Sequence, residues 1–132
     1  MKFKTMMIIK AVVCLALGVP IVLIPSFVYS IFGLALDPAG SFAAREYGAG
    51  MIGILLITWF ARNALESQAR WAITLGLCIY DAIGFVVSLI AAITSLLNPL
   101  GWSVVVLYLF LAVGFGYFLI RSPQPAANTR AT

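Results

Sequence analysis

The chain has 132 residues, 64% of them hydrophobic and 9% charged, whereas a soluble domain is roughly 25% charged; water is the wrong solvent for most of it. Its net charge of +4 comes from basic residues scattered at 2, 4, 10, 45, 62, 70, 121 and 130, so no patch for nucleic acid forms. Histidine is absent and the two cysteines, Cys14 and Cys78, are far apart, which removes imidazole-held haem, the usual zinc sites, every triad with a histidine base and any Cys-x-x-Cys redox motif. No metal and no cofactor is expected.

Apolar segments of about 20 residues cross a bilayer, and four fit, at about 6–24, 42–62, 69–95 and 102–120. The expected fold is all-α: an integral membrane four-helix bundle over residues 1–121, with a short interfacial helix between the first two spans. Residues 122–132, with Pro123 and Pro125, are expected to be a disordered cytoplasmic tail.

Lys2, Lys4 and Lys10 precede an apolar run from Ala11 to Ile24. This has the layout of a signal peptide but no small-x-small cleavage site, so an uncleaved first helix, bent at Pro20, is expected. Pro25 disfavours helical geometry at Ile24 and suits the first turn of a new helix. Phe27, Val28, Ile31 and Phe32 recur at helical spacing over too short a stretch to span, which fits a helix lying in the interface. Asp37-Pro38-Ala39-Gly40 reads as a type I turn, with Ser41 capping the second helix.

Beyond Arg62, the break from Asn63 to Ala69 gives Ser67 as a cap for the third helix and sets Glu66 four residues before Arg70, at pairing distance. Asn98-Pro99-Leu100-Gly101 turns the chain into the fourth helix. The amino end, the 62–70 loop and the tail hold all the basic residues except Arg45. Both termini are therefore expected on the cytoplasmic side of the cell inner membrane, in a multi-pass arrangement. Trp59, Trp71 and Trp102 fall near helix ends, as interface anchors do. Asp-Pro-Ala-Gly and Asn-Pro-Leu-Gly stand 61 positions apart, and the same offset aligns Tyr47 with Tyr108 and Gly53 with Gly114. Turn geometry alone accounts for the Asx-Pro-x-Gly pair.

The polar residues inside spans are the candidate ligand-binding or proton-linked groups. Asp81 falls near the middle of the third helix, where a carboxylate costs about 2.5–3.5 kcal/mol; it must be neutral, paired or facing protein or water. Leu77, Gly84 and Ser88 share its face, which suits the bundle interior, and the Lys10 side chain can climb towards it. Tyr80 neighbours it. Arg45 and Glu46 enter the second helix near its outer end, about 100° apart around the axis, so they do not pair side by side. Glu46, Gly50, Gly53 and Ile57 share a face, which points Glu46 inward, with Tyr108 as its expected partner. No catalytic residue is assigned. Gly48, Gly50, Gly53, Gly76, Gly84 and Gly114 are the expected helix-packing positions, because small residues let backbones approach where lipid gives no hydrophobic gain.

Several short motifs run in a familiar order: Ile24-Pro25-Ser26 leading to Phe32-Gly33-Leu34, then Ala44-Arg45-Glu46-Tyr47-Gly48-Ala49, then Trp59-Phe60-Ala61-Arg62, and finally Gly116-Tyr117-Phe118-Leu119. In this the chain resembles the DoxX-like superfamily of small four-helix membrane proteins. The resemblance implies a four-helix bundle and, for some members, partnership with redox enzymes; no catalytic residue or cofactor ligand carries over.

Two functions follow as expectations. The first is a non-enzymatic accessory or structural subunit of a membrane complex, such as an electron-transport one, with a larger assembly or further copies of itself as partner besides the bilayer. The second is a small membrane enzyme or carrier that binds a lipophilic substrate, such as a quinone or isoprenoid, through Asp81 and Glu46.

Overall fold

The computed structural model describes residues 1–122; of the tail expected over residues 122–132, only Ser122 is among them. The described residues form five helices: α1 (Phe3–Leu23), α2 (Pro25–Ile31), α3 (Pro38–Ala61), α4 (Gln68–Ile93) and α5 (Gly101–Arg121). Three of them, α1, α4 and α5, are long and apolar enough to cross a membrane. The 24 residues of α3 give it the length, but Arg45, Glu46 and its glycines dilute its hydropathy.

Local chemistry sets each boundary. α1 continues through Pro20 and stops at Ile24 (φ −136°, ψ 58°), ahead of Pro25 at the first position of α2, as the steric clash before proline requires. α2 closes through Gly33 at φ +84°, a conformation open to glycine at little cost, with Leu34 N–H donating to the Tyr29 carbonyl at 3.0 Å. The start of α3 differs from expectation. Asp37 is the cap, accepting from Gly40 N–H at 2.6 Å, with Pro38 opening the helix. Proline in the first turn loses no intrahelical hydrogen bond, so the stretch read as a free turn is the first turn of the helix, and Ser41 lies inside it. Ser67 caps α4 as expected, accepting from Arg70 N–H at 3.2 Å.

Packing divides the molecule into two antiparallel pairs, α1 against α3 and α4 against α5, which touch mainly through α1 and α5. Gly18 and Gly48 make the first pair close: a Cβ on Gly48 would lie 2.9 Å from the Gly18 carbonyl oxygen and 2.9 Å from Val22 Cγ2. One apolar cluster joins the pairs through Met6, Met7, Leu77, Leu111 and Phe115. A second gathers Cys14, Ile21, Val28, Ala44 and Met51 of α1, α2 and α3.

The two ends of the molecule are held differently. At one end Phe3 stacks edge-on against Phe118 at 5.6 Å, the Arg70 guanidinium lies 4.0 Å from the Phe3 ring centroid, and the Ser122 hydroxyl donates to Glu66 at 3.0 Å. Arg70 also donates to the Ala64 carbonyl, so Glu66 pairs with Ser122 and not with Arg70. At the other end Asn98 clasps the end of α2, with Nδ2 donating to the Ile31 carbonyl at 2.8 Å and its N–H to that of Phe32 at 3.0 Å. The outer surface is broadly apolar; Phe60 and Ile120 are 77% and 84% exposed.

Candidate functional site

α1 carries Lys10 between the two apolar clusters, and α4 carries Asp81 opposite it. The Lys10 ammonium donates to Asp81 Oδ1, in an ion pair whose side chains are 2% and 0% exposed. Asp81 Oδ2 has no hydrogen-bond partner among the described residues. Asp81 thus faces the interior, on the strip with Leu77 and Ser88 that the sequence picked out, and its charge is met by the residue proposed to reach it. A long lysine stem is what lets the pair form, because α1 and α4 are not packed backbone to backbone.

Two tyrosine rings flank the lysine. Its ammonium lies 4.7 Å from the Tyr80 ring centroid and 5.9 Å from that of Tyr108, within range of attraction to both ring faces. The Tyr80 and Tyr108 rings are 6.4 Å apart and tilted by 55°. The Tyr108 hydroxyl meets the Tyr47 hydroxyl, joining α5 to α3. Tyr47 and Tyr108 stand ten positions after Asp37 and Asn98 respectively. The repeated turn thus leads into two like-directed helices, α3 from Pro38 and α5 from Gly101, and the shared ten-residue spacing sets the two tyrosines side by side. The echo stops there, because Gly53 and Gly114 have unlike surroundings.

Glu46 is not in this site. It and Arg45 are exposed, and among the described residues neither is ion-paired. The buried strip of α3 is Ala44, Gly48, Met51 and Thr58; Glu46 lies about 200° around the axis from Gly48 at 100° per residue, hence on the outer face. Tyr47, on the flank of the buried strip, takes the partner expected for Glu46. The glycines divide in the same way. Gly48 packs on α1, Gly84 on the Tyr108 ring and Gly114 on Met6, while a Cβ on Gly50, Gly53 or Gly76 would meet nothing within 4 Å. Gly18, not singled out in the sequence, makes the tightest backbone approach with Gly48; its spacing from Cys14 (small-xxx-small on α1) was the available signal.

Between the two helix pairs lies a cavity of about 480 Å³, walled by all five helices. Val13, Leu17, Val104, Leu107 and Leu111 make its body apolar, and Lys10, Tyr29, Tyr47, Tyr80, Ser88 and Tyr108 supply its polar groups. Ile83 and Val87 line it while being 59% and 62% exposed, which places a mouth on the outer, apolar face of α4. Burial, and to a lesser extent Tyr47, push the Tyr29 hydroxyl above its ordinary pKa, so it is a proton donor throughout the neutral range. Asp81 stands behind Lys10 and does not reach the wall. The volume falls within the range of small-molecule sites, as does the mixture of apolar walls with a few convergent polar groups.

Comparison with protein-family models, with curated proteins and with solved structures gives no match.

Proposed function

We propose that this is a non-enzymatic membrane protein that holds a lipophilic small molecule between its two helix pairs, entering sideways from the bilayer. In this reading α3 is the fourth crossing and the protein is a multi-pass resident of the cell inner membrane with both ends in the cytoplasm. The DoxX-like resemblance adds the expectation of a four-helix bundle and supplies no ligand. The single observation that carries the proposal is the cavity, whose Ile83–Val87 mouth faces where acyl chains would lie. The ion pair supports it. A buried ion pair is weak as a stabilising device, and this one costs an unmet carboxylate oxygen besides, so its natural use is to keep a charged donor on the cavity wall.

The test is extraction of the purified protein with organic solvent and mass spectrometry of what comes out. The wild type should release one species in stoichiometric amount, and Leu17→Trp, which projects a larger ring into the cavity, should release less of it while keeping its helicity. An extract that matches empty micelles in both cases would refute the proposal.

An accessory subunit is the second reading, favoured by the outer face of α3, where Glu46 is exposed and Gly50 and Gly53 leave room for a neighbouring backbone. Co-purification in mild detergent should then recover a stoichiometric membrane partner, and replacement of both glycines by leucine should release it.

A further inference from the structure

The charges around the cavity say which kind of head group it accepts. Lys10 is on the wall, its single positive charge already matched by Asp81. Asp81 is fully buried and off the wall, so an incoming group cannot reach it. Among the described residues the wall contains no aspartate or glutamate. What it presents is donors: the two N–H groups of Lys10 not taken by Asp81, the hydroxyls of Tyr29 and Tyr80, and the proton left over by the Tyr47–Tyr108 pair.

We infer that the cavity selects an uncharged lipophile whose head carries a hydrogen-bond-accepting oxygen, a carbonyl or its equivalent, seated against Lys10 and Tyr80. The inference rests on the ligand-binding reading above. An amine would bring a second positive charge beside Lys10 and find no carboxylate to receive it. A carboxylate would have to leave water for an apolar space in which the one positive charge is already matched, and burying an unmatched charge is expensive. A carbonyl oxygen carries no such penalty and accepts from an ionised donor, the stronger class of hydrogen bond.

The experiment uses the full chain in lipid nanodiscs and four probes with the same tail: a dodecyl methyl ketone, dodecane, dodecanesulfonate and dodecylammonium, at neutral pH where the last two are ionised. Binding is read by native mass spectrometry and by displacement of one probe by another. The ketone should bind at least about tenfold more tightly than dodecane, the scale of one hydrogen bond to a charged donor, and more tightly than either ion. In Lys10→Met/Asp81→Leu, which removes the pair together, the ketone's advantage over dodecane should shrink towards that left by the tyrosines; adding Tyr80→Phe should reduce it further. Equal binding of ketone and dodecane by the wild type, or tighter binding of either ion, overturns the inference and leaves the cavity reading intact. If none of the four binds, both readings fall. The wild-type series decides the matter even where a variant does not fold.

Discussion

Lys10 and Asp81 show how a residue's cost and its use are separate questions. The sequence marked Asp81 as expensive and named Lys10 as its reachable partner, because charges at mid-membrane are few and must be met. Removing one member should therefore be far worse than removing both. Asp81→Leu, which leaves the ammonium buried and alone, should destabilise by about 3–5 kcal/mol, whereas Lys10→Met/Asp81→Leu should come within about 1 kcal/mol of wild type or exceed it. Thermal unfolding in detergent separates these outcomes, and a double variant as unstable as the single one would show that the pair is held for stability after all. Glu46 was misplaced for an equally physical reason. Its face contains Gly50 and Gly53, and glycine reads equally well as tight packing or as empty surface until a neighbour is seen. The structure points to Tyr47 as the residue that matters. Tyr47→Phe should cost about 1 kcal/mol, one hydrogen bond, while Glu46→Gln should stay within about 0.5 kcal/mol, as surface changes do; the same unfolding assay ranks them.

The ends of the long helices were legible to within about three residues, because apolar runs, prolines and Asx-Pro-x-Gly turns leave few alternatives. The start of α3 was the exception: Asp-Pro opens a turn and a helix with the same two residues, and nothing local tells them apart. Which helices pair was not legible at all, since small residues occur on several faces. The α1–α3 crossing at Gly18 and Gly48 gives that choice a measurable form. Gly48→Ala puts a methyl group 2.9 Å from the Gly18 carbonyl oxygen and should destabilise by about 1–3 kcal/mol, the usual cost of overpacking. Gly50→Ala and Gly53→Ala, which meet nothing, should instead be neutral or stabilising by about 0.5–1 kcal/mol, the helix preference of alanine over glycine. Equal losses at all three positions would mean that the outer face of α3 is covered too.

For the whole molecule, burial of Lys10 takes one charge out of the count on which the expected orientation rests. Lys2, Lys4, Arg62, Arg70 and Arg121 still gather at the end where Phe3 meets Phe118 and Arg70. The cavity, by contrast, was invisible in the sequence, because it is a space between pairs of helices and belongs to no segment. Single cysteines placed at Ala35 and at Asn63 in a chain lacking Cys14 and Cys78 should be labelled from opposite faces of sealed vesicles; labelling from one face would remove α3 as a crossing. On that four-crossing reading, the separation of the ion pair along the chain has a consequence for biogenesis. Asp81 follows Lys10 by 71 residues, roughly 4–14 seconds of synthesis at about 5–20 residues per second. Through that interval the lysine has no counter-ion and must reach back to the headgroups it entered from. Only arrival of the second hairpin draws it inward, so closure of the pair is a late event that marks a finished molecule, and a nascent chain halted before α4 should be a substrate for membrane quality control.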